Sequence, residues 1–446
     1  MAGIAGDGAS DRTPDKGAQN LGAQNQGAQN QGAPLGRRAL LAGAAALGLG
    51  ACAPDLEGSS RTPSPTPAAS GTPHGPATTP SSTTTSEPAS TSPPPARSLT
   101  VVTSGDLLWH NTLWFSADRD HQRTGKGDQF DFDPMFAMVK PIISGADLAI
   151  AHNEVPFAPA GGPYTGYPAF AAPPQIAAWM ATMGWDAATT ASNHSIDKGY
   201  PGLVRTRNLL TKAGITVVGT YETEQQAHTP VIIERAGVKV AIVSGTYDLN
   251  GLVPPADKSW CVDRWDVDRM LTAARLAREA GADIVLAHLH GGDEYATAPN
   301  ADQVRRATAL ANAPEVDVVF GEHVHVVQPI TSINGVPVVY GMGNMVAQHQ
   351  TSVPRGYEGI TVRFTFTENP EPRPGKVGRF TVSRLEYIPT LVTHFGDGAG
   401  GGLVRLYPVN QALAEGVGPT ERLKVALQRT RAAVRSQNPP PGLVEA

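Results

Sequence analysis

The chain has 446 residues, with 35 basic and 40 acidic side chains giving a formal charge of -5. That balance leaves no basic excess for a nucleic-acid partner, and two cysteines, Cys52 and Cys261, exclude a disulfide-stapled scaffold or a CxxC zinc ribbon. The longest apolar run, Ala39 to Ala51, stops short of the ~18 residues a membrane-spanning helix needs.

In chain order, residues 1–51 read as a delivery segment. The Gly-rich, polar start repeats GAQN units at 17–31 and has nothing to bury, so disorder is expected there. Arg37 and Arg38 then precede ALLAGAAALGLGA and Cys52. This order of positive charge, short apolar stretch and small residues resembles a bacterial export signal, with Leu49-Gly50-Ala51-Cys52 matching a lipobox and the paired arginines a twin-arginine signal. Lipidation of Cys52 would anchor the chain, at ~0.8 kcal/mol per buried CH₂. Residues 52–98, rich in Pro, Ser and Thr, are expected to be an extended tether holding the next domain off the membrane.

Hydrophobic patterning changes at residue 99. Strands are predicted for SLTVVTSGD (98–106), ADLAIAHNE (146–154) and WDAATTASNH (185–194), with helices over 173–183 and 202–213 and a strand in ITVVGT. The stretch 229–246 reads as a hairpin turning at Ala236-Gly237, and Asp266 as the N-cap of a helix to Ala280. A strand over ADIVLAHLH, a helix over 301–312, the strand VDVVF and a hairpin turning at Asn334-Gly335 follow. Further strands are predicted over 357–367 and 378–388, and a helix over 419–435. Segments 109–135 and 245–262 read as long loops of the kind that wall a site. Strands alternating with helices, then hairpins, give an α/β layered domain with mixed sheets over 99–395 and a C-terminal extension, 396–446, packed on it.

Successive predicted strands end in metal-competent side chains: Asp106, Glu154, Asn193-His194, His290 and His323-x-His325. Ligands collect outside the carboxyl ends of strands in layered α/β folds, so this coincidence points to divalent cations. If 323–325 is extended, alternation sends both histidines to one side. His110, His152 and His288 fall near the same ends and could orient ligands. His121, His228, His349 and His394 read as surface or loop residues, and Cys261 as a lone thiol. Trp109, Trp114, Phe115 and Trp260 fall in the predicted loops, where core packing is the expected use.

The segments SGD (104–106), ADLAIAHNEVP (146–156), GWDAATTASNHSIDKG (184–199), HGGDEYATAP (290–299), GEHVHVVQP (321–329) and VVYGMGNM (338–345) together resemble the CapA-type proteins of poly-γ-glutamate capsule synthesis, a branch of the calcineurin-like metallophosphatases. The resemblance implies a four-layer α/β/β/α sandwich with mixed sheets and a pair of divalent ions. Asp106 and His325 would hold one ion, Asn193, His290 and His323 the other, with Glu154 bridging and His194 as general acid. Glu294, Tyr295 and Asn344 fall in matched motifs, beside the ions or against substrate. Two departures stand out: His152-Asn153-Glu154 replaces Asn-Leu-Glu, and Asp106 lacks the DxH histidine, leaving His110 or His152 to supply that ligand.

The mixed N and O donors suit Mn, Zn or Fe and match Ca poorly. The function this implies is a cell-surface metal-dependent hydrolase or transferase acting on an anionic polymer or a phosphoester, membrane-anchored through Cys52 and associated with a membrane-bound synthesis complex. The competing reading is a non-catalytic lipoprotein scaffold that binds polymer during envelope assembly.

Overall fold

The computed structural model describes residues 95–349, 352–396 and 402–446. Cys52, the arginine pair and the tether up to residue 94 lie outside the described residues. The first half of the domain runs β1 (Ser98–Leu107), α1 (Asn111–Thr124), α2 (Asp133–Phe136), α3 (Lys140–Ser144), β2 (Leu148–Asn153), α4 (Gln175–Met183), β3 (Ala187–Thr189), α5 (Gly199–Lys212) and β4 (Thr216–Val218). Then come α6 (Glu224–Ala227), β5 (Ile232–Arg235), β6 (Val238–Thr246), α7 (Val267–Glu279), β7 (Ile284–His290), α8 (Ala301–Asn312), β8 (Val318–Glu322), β9 (Ile330–Ile333) and β10 (Val336–Val339). The chain finishes with β11 (Asn344–Val346), β12 (Glu358–Glu368), β13 (Phe380–Val392), β14 (Leu406–Pro408), α9 (Val409–Glu415), α10 (Thr420–Val434) and β15 (Val444–Glu445).

Local chemistry accounts for many boundaries. The Asp266 side chain accepts from Arg269 N to start α7, and Asn300 with Gln303 forms a reciprocal capping box at α8. Both predicted hairpins turn on paired positive-φ residues, Ala236-Gly237 (50° and 72°) and Asn334-Gly335 (49° and 76°), the geometry that matches strand twist. Segment 109–135, read from sequence as a loop, is largely helical. The helix period of α1 is hidden because two of its buried positions are polar. Ser116 Oγ accepts from Val404 N at 2.8 Å, and Asp120 accepts both Arg405 guanidinium nitrogens at 2.8 Å. Trp109 and Trp114 are core residues, whereas Phe115 is exposed.

Two mixed sheets result, ordered β14-β13-β12-β1-β2-β3-β4 and β5-β6-β7-β8-β10-β9, with β11 beside β1 and β15 beside β13 in the first. Their inner faces meet through Val101, Ile150, Ile242, Leu286, Phe320 and Phe364. Helices α1 and α4 cover the outer face of the first sheet, through Leu113, Ile176 and Met180 against Ala149 and Ala151. Helices α7 and α8 cover the second, through Met270, Ala274, Ala307 and Leu310. The order of layers is therefore α/β/β/α. Residues 402–446 share this compact unit: β14 pairs with β13, and α9 and α10 pack on the same core.

Strands β1–β4 are mutually parallel, as are β6, β7 and β8, so their carboxyl ends deliver polar residues between the two sheets. One irregularity is decisive for what they deliver. Thr103 pairs with Ile150, but Asp106 rather than Gly105 pairs with His152, so β1 carries one extra residue. The bulge moves Asp106 onto the inner face with His152; regular alternation would have aimed it at the helices.

Candidate metal centre

At the ends of β1, β2, β7 and β8 and in the turn after β3, the structure brings together Asp106, Glu154, Asn193, His290, His323 and His325, all buried. Asp106 Oδ2 lies 3.1 Å from His325 Nδ1, and Asp106 Oδ1 accepts from His323 N at 3.3 Å. Asn193 Oδ1 lies 2.8 Å from His290 Nε2. Glu154 Oε1 lies 3.8 Å from His290 Nε2 and 3.9 Å from His325 Nε2. Two ligand groups, Asp106–Glu154–His325 and Glu154–His290–His323, have donor atoms all within 4.8 Å and share Glu154.

The backbone makes this convergence in an unforeseen way. His323 and His325 do not lie on an extended strand; both occupy the left-handed region, with φ of 92° and 57°. Such backbone is costly for residues with a Cβ, ~1–3 kcal/mol each, and here it turns both rings toward Asp106 and Glu154. Alternation is thus the wrong reason for their shared direction.

Burial sets the protonation states. The imidazoles of His152 and His288 are pushed down to about 3, mainly by burial, and His290 and His323 well below their ordinary value for the same reason. These rings are neutral at physiological pH and offer lone pairs. Burial would also lower His325, but the Glu154 and Asp106 carboxylates raise it to about 10 in the metal-free chain. Glu154 is pushed well above its ordinary value by burial and by Asp106.

The donors fit a divalent cation. Both Glu154 carboxylate oxygens, His290 Nδ1, His323 Nδ1 and His152 Nε2 are buried without a hydrogen-bond partner. Unpaired buried groups of this kind are costly, and a cation is the partner that satisfies carboxylate and imidazole lone pairs together. His152 Nε2 lies 3.9 Å from Asp106 Oδ1, and His152 joins Asp106 and His290 in a further ligand group. His110 joins none among the described residues; its Nδ1 accepts from Gln348 N at 3.2 Å, and its ring packs on Phe170 and His349. Of the two histidines considered for the missing ligand, only His152 lies beside Asp106, and its one free lone pair also faces His288 and Glu322.

Around this cluster, His194 Nδ1 donates to Asp197 Oδ2 at 2.8 Å and its ring packs edge-on to Phe170. His288 lies deeper, bonded to Ser244 Oγ at 2.7 Å and to Glu322. Asn344 Oδ1 lies 3.0 Å from His325 Nδ1, while its amide nitrogen reaches Gly356 O at 2.8 Å. Glu294 and Tyr295 stand at the exposed mouth, and Glu294 groups with His323 and His325.

Several residues of the site escaped sequence reasoning. His349, read as a surface or loop residue, lies half-buried in the loop after β11 and reaches the site: its Nε2 accepts from Asn344 Nδ2 at 2.9 Å, and its ring centroid lies 5.1 Å from that of His325. Tyr247 packs on His323 with centroids 4.5 Å apart, and Asn250 Oδ1 accepts from Asn193 Nδ2 at 3.1 Å. Both come from segment 245–262, whose length had marked it as a wall. Asp197 was findable as the acidic residue one turn after His194; Glu322 carried no such signal.

Residues 100–349 match the family model for bacterial capsule synthesis protein PGA_cap, more than half of the chain. The chain belongs to that family. This family member is 29% identical over 215 residues to the PGA biosynthesis protein CapA of Bacillus subtilis, covering 46% of this chain and 51% of that protein. It is 31% identical over 175 residues to a polyglutamine synthesis accessory protein of Mycobacterium tuberculosis, covering 36% and 44%. The chain thus spans about half the length of the curated relatives it matches. Among solved structures, the calcineurin-like phosphoesterase YfkN from Bacillus subtilis aligns over 76% of this chain and 97% of its own, at 17% identity and a TM-score of 0.40. The four-layer order described above stands on the strands and helices themselves.

Proposed function

We propose that this chain is a metal-dependent hydrolase or transferase of the capsule-synthesis type, acting on an anionic polymer such as poly-γ-glutamate or on a phosphoester. The observation that carries the reading is Glu154: a fully buried carboxylate, shared by two ligand groups, with neither oxygen hydrogen-bonded. Two ions of Mn, Zn or Fe are assigned to the positions Asp106–Glu154–His325 and Glu154–His290–His323, with Asn193 at the second. Divalent ions so held supply Lewis acidity and a water acidic enough to act as nucleophile near neutral pH.

The chain's own residues supply the rest. Asp197 fixes the His194 tautomer by accepting its Nδ1–H, which leaves Nε2 as the atom that carries a proton to the leaving oxygen or nitrogen. Asn250 bridges this pair to the cluster by accepting from Asn193. Tyr295 and Glu294 meet the substrate at the mouth, and Asn344 holds the His325 ring in place.

In the metal-loaded chain, His194→Ala is expected to lower hydrolysis of poly-γ-glutamate or of a chromogenic phosphodiester by ~10²–10⁴-fold while leaving the metal content unchanged. A wild-type chain that takes up none of these metals and cleaves neither substrate would overturn the reading. The same proposal places the domain outside the cytoplasm on a lipidated Cys52. Fractionation of cells making Cys52→Ala tests this: the variant should move from the membrane to the soluble fraction.

A further inference from the structure

One alternation step back from the strand ends lies a second polar cluster that the Glu154 site does not use. His152 on β2, His288 on β7 and Glu322 on β8 are all buried between the sheets, with donor atoms within 4.8 Å of one another. The His152 and His288 rings approach from opposite sheets, with centroids 4.9 Å apart. Each follows apolar residues of the same face, Leu148 and Ile150 before His152, Ile284 and Leu286 before His288. A polar trio in that position interrupts an otherwise hydrophobic interlayer.

Proton bookkeeping shows what the trio lacks. Thr189 Oγ1 donates to Ala151 O at 3.4 Å, so it accepts from His152 Nδ1–H at 2.9 Å. His152 Nε2 is therefore a bare lone pair, and it has no hydrogen-bond partner. On His288, Nδ1 lies 2.7 Å from Ser244 Oγ and Nε2 is hydrogen-bonded to Glu322 Oε2, a contact that an ion held by both residues would replace. The other Glu322 oxygen, Oε1, is also buried and unpartnered. Metal-ligating histidines characteristically give their second ring nitrogen to an oxygen that fixes tautomer and orientation, which Thr189 and Ser244 supply here.

We propose that His152, His288 and Glu322 hold a further divalent transition-metal ion, distinct from the Glu154-centred pair. Two imidazoles and one carboxylate form a donor set suited to zinc or iron and unlike the all-oxygen sets of calcium and magnesium. Because His152 belongs to one sheet and His288 and Glu322 to the other, the ion staples the two layers together. Burial keeps substrate from the fourth position that three protein donors leave, so the ion is structural and exchanges slowly. The proposal stands whether or not the outer cluster is catalytic.

The test is a zinc count on the full chain reconstituted with zinc alone and freed of excess metal, paired with thermal melting. The wild type is expected to hold about three ions per chain, Glu322→Gln and His288→Gln about two each, and both variants should melt lower than the wild type only when zinc is present. An Asp106→Asn, His325→Asn double variant should lose outer zinc yet keep the ion that Glu322→Gln removes. A double variant that retains no zinc overturns the inner site without needing either single variant to fold, and so does an unchanged count in a folded Glu322→Gln. If instead the double variant loses nothing, the outer assignment fails and the inner one stands.

Discussion

Replacing Glu154 with Gln should strip the outer cluster of its ions and lower metal-dependent turnover by ~10³-fold or more, ~4 kcal/mol of barrier. The carboxylate is common to both ligand groups, and the donors assigned beside it at the second, His290, His323 and Asn193, bring no negative charge. Glutamine keeps the shape but removes the charge that binds a cation to both sides. The same substitution should change the metal-free chain in the opposite direction. Burial and Asp106 raise the Glu154 pKa in the folded state well above its ordinary value of 4.5. Above that ordinary value the unfolded chain releases a proton that the native chain retains, so each further rise in pH favours unfolding until the folded-state pKa is passed. The buried neutral histidines make both metal-free chains gain stability as pH rises toward 6.5, so the Glu154 contribution is read as a difference: the stability of metal-free wild type relative to metal-free Glu154→Gln should fall from about pH 4.5 upward. Urea midpoints at acidic and neutral pH, with and without metal, read both halves. A Gln variant that keeps its ions and its turnover would remove Glu154 from the centre of the site.

What could be read from the sequence was what local rules determine. The hairpin at Asn334-Gly335 and the helix start at Asp266 follow from turn and cap chemistry within a few residues, and the structure shows both. The polar residues at strand ends were legible because parallel strands need apolar bodies, so that Asp106, Glu154 and His290 stand out against their own segments. Contributions that depend on partners distant in sequence were not legible. Asp120 hides a helix because its charge is answered by Arg405, far along the chain. Glu322 reads as an ordinary polar residue before His323 until β7 places His288 against it. His349 sits in a stretch without periodicity, and only the turn of the chain back over Asn344 brings it to His325. The left-handed backbone at His323 and His325 has no glycine to announce it, because the tertiary setting rather than local preference imposes it.

The cluster's chemistry follows from the same division. Imidazoles from the second sheet meet carboxylates from the first, so no element carries a full donor set by itself. A site of this kind exists only when both sheets are formed and packed, which ties metal affinity to the global fold.

Gly105→Ala should show that coupling most directly. A Cβ at this position would lie 1.9 Å from Gly343 O and 2.9 Å from its carbonyl carbon, both backbone atoms that no rotamer change can move aside. The neighbouring Asp106 N donates to that same oxygen at 3.0 Å, so the close approach is what seats β11 against the bulge in β1. Alanine forces one of two rearrangements. Either β11 withdraws and Asn344 leaves His325, or the bulge closes and Asp106 turns from the inner face toward the helices. Both break the Asp106–His325 contact, and both also disturb buried backbone pairing, a mechanism at the large end of single-residue effects, ~4 kcal/mol or more. The expected result is a large fall in urea midpoint for the metal-free chain, together with loss of bound metal in whatever fraction still folds. Normal metal content at normal stability would mean that the bulge tolerates a side chain, and then the extra residue in β1 would not be what aims Asp106 between the sheets.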